Sequence, residues 1–192
     1  MTVDIQTAAQ EAIQRAIVRH GGMERYEQID KIVCEVYTLG GFGMSRRGLN
    51  SQFPMPNIVT LMPRENKAIL HDYPTPGRDC HYDNGRVAEV AKGEVPVFDH
   101  DNYRVRMMSV SRFRRPWTTL DATYFFGYAM THYASLPFSL LGVKVVGFKS
   151  RSHGDWRTRI DFEYPAGAHT HSRIETMYFD ETHRLMRHDY RP

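Results

Sequence analysis

Apolar residues near the N-terminus recur at every third or fourth position between Asp4 and Arg19. This spacing is typical of a helix that buries one face. Gly21-Gly22 follows, and glycine readily adopts the left-handed conformation that ends a helix. From Ile32 the pattern changes to alternating apolar and polar residues, which indicates a strand. The chain is therefore predicted to begin with an amphipathic helix and to continue with β-structure.

Short alternating segments separated by turn residues continue to the C-terminus. Asn84-Gly85 is a dipeptide favoured in tight hairpin turns. The last two predicted strands, residues 172–179 and 184–190, are joined through residues 180–183. We count about nine strands, and the short loops between them favour antiparallel pairing.

One long helix interrupts the strands over residues 120–136. Thr118 and Asp121 have the spacing of a capping box, and Pro137 ends the helical pattern. The helix is apolar almost all round, so we expect it to be enclosed. The predicted fold is α+β and mainly antiparallel β, with a curved half-barrel sheet, an N-terminal helix and one buried central helix. We expect one domain over residues 1–192.

The balance of charge argues against a nucleic-acid ligand. The chain has 192 residues, with 25 Lys and Arg against 22 Asp and Glu. Only Arg112, Arg114 and Arg115 form a short basic cluster, so no nucleic-acid partner is predicted. Cys34 and Cys80 lie outside any CxxC pattern, and we expect two reduced cysteines in strands, where free Cys behaves as a small buried apolar residue.

No apolar run long enough to cross a membrane occurs, and the N-terminus lacks the apolar core of a signal peptide. We therefore expect a cytoplasmic protein with no membrane span. Gly40-Gly41-Phe42-Gly43 lacks the spacing of a phosphate-binding loop, so a bend or bulge is predicted there. The segment Asp99-His100-Asp101 is interpreted as a solvated loop. Signatures of serine hydrolases and zinc metalloproteases are absent from the sequence.

Ten histidines and eleven tyrosines bring proton chemistry into consideration. On the central helix, Tyr124, Tyr128 and His132 are spaced by four residues and share one stripe, while Phe125 and Tyr133 lie on the adjacent stripe. Core packing accounts for such a stripe, but an apolar pocket with a few polar anchors requires the same pattern. We predict that His132 transfers protons, because its two protonation states are close in free energy near neutral pH. The two tyrosines would orient an oxygen of the ligand.

A second candidate cluster lies near the C-terminus. His169 and His171 form an HxH pattern, which on a strand would direct both imidazoles to one face. A zinc or iron site would need a third ligand such as His188, and no metal site is predicted from two ligands alone. If Glu175 pairs with His188 across the last hairpin, one face carries His169, His171, Glu175, His188 and Tyr190. A bulge at His183 would instead pair Thr176 with His188. That second register would group Ile174, Thr176, Tyr178, Met186, His188 and Tyr190.

Three segments carry a resemblance to known proteins: residues 20–26, 124–129 and 178–190. They resemble uncharacterised bacterial and fungal proteins whose fold is similar to that of the outer-membrane lipoprotein carriers LolA and LolB. The match covers residues 20–48 and 122–192. The resemblance implies an antiparallel sheet curled around helices, with an apolar cavity between them. The sequence shows neither a secretion signal nor a lipobox cysteine, so we expect a function other than lipoprotein transport.

Together these observations predict a protein that binds a hydrophobic small molecule and performs cofactor-independent acid/base chemistry on it, of the isomerase, cyclase, dehydratase or lyase type. The candidate catalytic residues are His132, Tyr128, Tyr124, His171, His188 and Glu175. The candidate ligand contacts are Phe125, Tyr133, Tyr178, Met186 and Tyr190. One alternative is a non-catalytic carrier or sensor of lipids or other apolar ligands. Another is a protein–protein module with an apolar docking surface.

Overall fold

The computed structural model describes residues 5–37, 57–98, 102–109 and 116–191. Its helices are α1 (Ile5–Arg19), α2 (Met23–Glu27), α3 (Tyr103–Ser109) and α4 (Thr119–Ser135). Its strands are β1 (Ile32–Val36), β2 (Asn57–Met62), β3 (Lys67–Leu70), β4 (Arg78–Asp83), β5 (Arg86–Ala91), β6 (Lys144–Ser150), β7 (Thr158–Glu163), β8 (Ile174–Phe179) and β9 (Leu185–Tyr190). The predicted α+β class, mainly antiparallel β with an N-terminal helix and a buried central helix, is confirmed.

The chain divides into two compact units. The terminal unit comprises residues 1–29 and 135–192, and the central unit comprises residues 30–134. The prediction of one domain over the whole chain stays a prediction. None of the helices in the part of the chain that the structure describes combines the length and hydropathy needed to cross a bilayer.

Three predictions fall on segments outside the described residues. They are the glycine-rich bend at residues 40–43, the loop at 99–101, and the basic cluster of Arg112, Arg114 and Arg115.

The central unit contains a five-stranded antiparallel sheet in the order β1-β2-β3-β4-β5. Each strand pairs with its neighbour in the chain, as expected for short connections. The predicted turn at Asn84-Gly85 joins β4 to β5, and both residues have positive φ, at 45° and 91°. A type I′ hairpin turn requires positive φ at both positions. The turn therefore sets the pairing of Asp83 with Arg86.

Helix α4 begins with the predicted capping box. The backbone N–H of Asp121 donates to the Thr118 hydroxyl at 3.2 Å, and the backbone N–H of Thr118 donates to the Asp121 carboxylate at 2.9 Å. The two contacts satisfy N–H groups that the first turn of a helix leaves without partners. The carboxylate also accepts a hydrogen bond from the Tyr103 hydroxyl at 3.0 Å, which ties α4 to α3.

Helix α4 approaches the central sheet closely where it carries Gly127. A Cβ atom at this position would lie 2.3 Å from the Cβ and Cγ atoms of Tyr82 on β4. Because Tyr82 Cβ is attached directly to the strand backbone, it cannot rotate away. Glycine is therefore required by the distance between helix and strand, although it is a poor helix former.

The terminal unit contains a four-stranded antiparallel sheet in the order β6-β7-β8-β9, and α1 packs against it. The apolar stripe of α1 is buried, as its spacing predicts. The helix ends as predicted at the glycine pair: the N–H of Gly22 donates to the Ile17 carbonyl and that of Gly21 to the Val18 carbonyl. These are the two hydrogen bonds of a Schellman motif, with Gly21 at φ 109°.

Both predicted registers of the last hairpin are wrong. His188 lies opposite Met177, and Tyr190 lies opposite Glu175. This register differs by two residues from the pairing of Glu175 with His188, and a shift of two keeps every side chain on its original face. Glu175, His188 and Tyr190 therefore still share the buried face. Thr176 lies on the opposite face, so the grouping expected from its pairing with His188 does not form.

The irregularity of this hairpin also differs from the one considered in the sequence. The register shifts at Phe179, so that Met186 is an extra residue in β9 and is 54% exposed. The residues of the HxH pattern precede β8 and lie in a bend rather than on a strand. The bend contains two local backbone hydrogen bonds. The N–H of Ala168 donates to the Pro165 carbonyl, and the N–H of Thr170 donates to the Ala168 carbonyl.

Gly127→Ala is expected to destabilise the protein. Alanine gains up to about 1 kcal/mol in helix propensity over glycine, whereas a clash that neither backbone can relieve costs about 3 kcal/mol or more. We expect a net loss of about 2 kcal/mol in the free energy of unfolding, measured by urea denaturation. An unchanged or higher free energy would contradict the close approach of α4 to Tyr82.

His183 gives a pH-dependent prediction. Burial, and then the charge of Arg15, lower the pKa of His183, while Asp180 opposes this and Arg157 adds to it. The unfolded chain therefore binds a proton that the folded chain disfavours, and stability falls as the pH drops through the unfolded value of about 6.5.

His183→Asn should reduce this loss of stability between pH 7.5 and 5. Asparagine also tolerates the φ of 64° at this position. The measurement is the thermal midpoint against pH, with His153→Asn at an exposed histidine as the matched control. Parallel curves for wild type and His183→Asn would contradict the role of His183.

Candidate functional site

A buried carboxylate lies at the centre of the polar groups on the inner face of the terminal sheet. Glu175 is on β8, opposite Phe162 of β7 and Tyr190 of β9, and it is 0% exposed. Burying a carboxylate is costly unless it is paired and hydrogen-bonded. We call His171, Glu175, His188 and Tyr190 the Glu175 cluster.

Both oxygens of Glu175 have partners inside the terminal unit. Oε1 accepts hydrogen bonds from the backbone N–H groups of His171 at 3.0 Å and Ser172 at 3.3 Å. Oε2 lies 2.8 Å from Nε2 of His188. The two amides hold the carboxylate in one orientation, and the carboxylate in turn orients the imidazole.

The bend before β8 makes this arrangement possible. The N–H of Thr170 donates to the Ala168 carbonyl, and the Thr170 hydroxyl donates to the Ser172 carbonyl at 3.0 Å. These local bonds turn the backbone so that two successive N–H groups, those of His171 and Ser172, point to one oxygen. A strand would direct successive N–H groups to opposite sides, and could not do this.

Aromatic and apolar groups surround the imidazoles. The His171 ring stacks on Tyr190, with centroids 4.1 Å apart and planes 12° apart. The His188 ring lies 5.1 Å from Tyr190 and 6.2 Å from His171. Met177, directly opposite His188 in the sheet, is fully buried, and the His188 side chain is 12% exposed. The Glu175–His188 pair therefore lies largely out of bulk water.

The charge of Glu175 is felt by a second buried group. Burial, and then the Glu175 carboxylate, raise the pKa of Tyr164. This tyrosine therefore keeps its proton, and its hydroxyl remains a potential donor on the inner face of the terminal sheet.

This arrangement is suited to acid/base chemistry. A carboxylate that holds one imidazole nitrogen stabilises the imidazolium formed when the ring takes a proton. The low local dielectric strengthens the attraction between the two charges. When the imidazole is neutral, the backbone N–H groups of His171 and Ser172 still donate to the Glu175 carboxylate.

Two candidate ligand contacts on the terminal unit are not brought to the Glu175 cluster. Tyr178 lies on the outer face of β8, where its ring packs 5.6 Å from Trp156 and lies under Arg187 at 5.0 Å. Met186 is the exposed extra residue of β9. The alternation of side chains along β8 and the bulge in β9 separate both from His188.

The candidate residues on α4 belong to the central unit. The ring of Tyr124 lies 5.2 Å from Tyr128, 5.7 Å from Tyr103 and 6.1 Å from Tyr82. The Phe125 ring lies 5.5 Å from that of Tyr128. These contacts make the tyrosines of the stripe part of an aromatic core, as the packing interpretation of the sequence allows.

His132, the predicted proton carrier, is buried near the end of the same helix. The adjacent Tyr133 is 46% exposed, and the two rings lie 6.2 Å apart. The catalytic role of His132 and the ligand contact of Tyr133 stay predictions.

Sequence reasoning missed the backbone donors of the site and Tyr164. The donors belong to His171 and Ser172, which were assigned to an extended segment, so the bend that aims their N–H groups was not predicted. Pro165 and Gly167 indicated a turn, but no pattern in the sequence marks which carbonyl or carboxylate a backbone N–H will reach.

A comparison with protein-family models, curated proteins and solved structures found no match for this chain. The resemblance to lipoprotein carriers therefore stays a prediction from the sequence.

Glu175→Ala should cost about 3 kcal/mol in the free energy of unfolding, because it leaves two backbone N–H groups and a buried imidazole without their acceptor. Glu163 on the neighbouring strand provides the control. Its carboxylate pairs with Lys144 and Arg173 at the surface, so Glu163→Ala should cost about 1 kcal/mol or less. Urea denaturation measures both. Equal losses would contradict the structural importance of the buried carboxylate.

Proposed function

We propose that the protein binds a hydrophobic small molecule in the cytoplasm and transfers protons to and from it without a cofactor. His188 is the acid/base group, and Glu175 is the carboxylate that positions it. The reaction class is isomerisation, cyclisation, dehydration or a lyase reaction, since each can proceed by moving protons alone.

The observation that carries this proposal is the 2.8 Å contact between Nε2 of His188 and Oε2 of a carboxylate with no exposed surface. A buried ion pair contributes little to stability, because desolvation offsets its attraction. Replacing a buried ion pair by hydrophobic residues of similar volume is often neutral or stabilising. The polar pair is therefore better explained by chemistry than by folding.

The surroundings of the pair support an apolar ligand. Phe162, Met177 and Tyr190 are the neighbours of Glu175 and His188 across the sheet. Phe162 and Met177 are 0% exposed and Tyr190 is 37% exposed, so a ligand would gain from burying its own apolar surface and that of Tyr190. Its polar groups would have to meet the few polar side chains in reach, among them the buried Tyr164.

The proposed cycle requires two protonation states of one imidazole. Neutral His188 removes a proton from a carbon of the ligand, and Glu175 stabilises the imidazolium that results. The same proton then returns to another atom of the ligand in an isomerisation, or to a leaving group in an elimination. Stacking of His171 on Tyr190 restricts the shape of the space beside the imidazole.

Elimination of nitrobenzisoxazole tests the proposal, because this small aromatic compound reacts when a base removes one C–H proton and its coloured product is easily followed. We expect wild type to exceed His188→Ala by about 100-fold or more, the lower end of the typical contribution of general acid–base catalysis. Glu175→Gln should lower kcat as well, since it removes the charge that stabilises the imidazolium.

His153→Ala, at an exposed histidine, is the control for non-specific imidazole catalysis. Its rate should equal that of wild type. Loss of the rate in His132→Ala, with His188→Ala unaffected, would replace His188 by His132 as the proton carrier. Binding of the probe without elimination would contradict the enzyme proposal and favour the carrier.

A further inference from the structure

A line of three polar side chains crosses the outer face of the central sheet. Nε2 of His71 lies 2.9 Å from the Thr60 hydroxyl, and Nδ1 of His71 lies 3.3 Å from Oδ2 of Asp79. The three residues come from β2, the end of β3 and β4, and all belong to the central unit. The Glu175 cluster belongs to the terminal unit, and it has no hydroxyl corresponding to that of Thr60 among its four defining residues except the phenol of Tyr190.

The register of the sheet brings these residues together. Thr60 pairs with Ile69, and Leu70 pairs with Cys80, so His71 follows β3 at a position between Thr60 and Asp79. The backbone around His71 is held on both sides. Its N–H donates to the Ile58 carbonyl at 2.9 Å, and its carbonyl accepts from the Asn57 side chain at 2.7 Å.

The carboxylate at the end of the line is also fixed. Asp79 is buried, and its Oδ1 accepts a hydrogen bond from the backbone N–H of Asp72 at 3.0 Å. Oδ2 is thereby directed to Nδ1 of His71. When Nδ1 carries the proton and donates it to Asp79, Nε2 is the acceptor for the Thr60 hydroxyl.

We propose that Thr60, His71 and Asp79 form a nucleophile–base–carboxylate triad that hydrolyses esters of short apolar acids. A hydroxyl at Nε2 of an imidazole and a carboxylate at its Nδ1 form the arrangement that activates a hydroxyl nucleophile. This constellation is recognised by its geometry and not by its fold or order in the chain. Thr60 is the nucleophile, His71 the general base, and Asp79 the positioning residue.

The neighbours of Thr60 determine the class of substrate. Val33 lies directly opposite Thr60 on β1 and is 60% exposed, and Ile58 on the same face is 41% exposed. Thr60 itself is partly exposed. A short aliphatic acyl chain would cover these apolar side chains while its carbonyl carbon lies at the hydroxyl.

Other titratable groups also lie close to this line: Asp72 and Lys92, which pair with each other at 2.7 Å, and His81. Burial lowers the pKa of His81. It therefore remains neutral near pH 7, so it adds no positive charge to oppose protonation of His71. The negative charge of Asp79 then stabilises the His71 imidazolium.

The proposed reaction proceeds in two balanced steps. Thr60 Oγ1 forms a bond to the ester carbonyl carbon while its proton passes to Nε2 of His71, and the bond to the alkoxy group breaks as that group takes the proton and leaves as an alcohol. Water then attacks the threonyl ester, with His71 again accepting the proton. The bond between the acyl carbon and Thr60 Oγ1 breaks as Oγ1 takes that proton back from His71, which releases the acid and restores the hydroxyl.

Hydrolysis of para-nitrophenyl butyrate tests this triad. Thr60→Val should lose about tenfold or more of the rate, whereas Thr60→Ser keeps a hydroxyl and should retain it. Valine is well accepted in a strand, so Thr60→Val should fold. Thr176→Val is the matched control, because Thr176 is also a partly buried threonine on a strand. Its hydroxyl has a different partner, the Asp161 carboxylate.

Two further readouts separate chemistry from structure. Mass spectrometry of the quenched reaction should find the butyryl group on the peptide containing Thr60. Asp79→Asn should lower kcat with little change in KM, because it disturbs the orientation of His71 and not the apolar acyl site.

A butyryl group found only on another residue, or equal rates for wild type and Thr60→Val, would overturn the proposal. His153→Ala, at an exposed histidine, should hydrolyse the ester at the wild-type rate, which excludes a surface imidazole as the source of the activity. A loss of rate in His153→Ala with Thr60→Val unchanged would also overturn the triad.

Discussion

A carboxylate without exposed surface must find all its hydrogen bonds within the protein, and the terminal unit is organised around this requirement at Glu175. Two of its partners are backbone N–H groups, so the chain before β8 has to bend instead of extending. The third partner is an imidazole on β9, so the last hairpin has to place His188 on the inner face. Bend, register and imidazole orientation are therefore parts of one solution to a single desolvation problem.

The same constraint explains why the site is well ordered. Backbone amides cannot be removed by side-chain substitution and do not ionise, so they hold Glu175 in one orientation whatever the pH. The imidazole of His188 is fixed in turn by its 2.8 Å contact with the carboxylate.

The central unit meets a different constraint, which is the distance between α4 and β4. Gly127 allows the helix to approach Tyr82, and the aromatic side chains of α4 fill the space beside this contact. The stripe of tyrosines is then largely occupied in packing. The hydrogen-bonded line of Thr60, His71 and Asp79 lies on the outer face of the same sheet, where Asp79 is buried and Thr60 and His71 are partly exposed. Each sheet thus carries one ordered imidazole–carboxylate pair, on the inner face in the terminal unit and on the outer face in the central unit.

Local features were decided by the sequence itself. Gly21-Gly22, Asn84-Gly85 and the Thr118–Asp121 capping box each act through the backbone conformations of a few adjacent residues, so residue type is sufficient to predict them. The apolar spacing of α1 and the enclosed composition of α4 likewise predicted which faces are buried. The antiparallel α+β class followed from these elements and the short loops between them.

The candidate site was only half visible in the sequence, because it depends on contacts between distant residues. Strand alternation correctly kept Glu175 and His188 on one face, since face depends on parity alone, but the pairing was off by two residues because the turn and the bulge at Met186 are set by packing. The amides of His171 and Ser172 and the line from Thr60 through His71 to Asp79 have no pattern along the chain. Tertiary structure alone decides them. A hydrogen bond between strands depends on their register, and register depends on contacts between residues that are far apart in the chain.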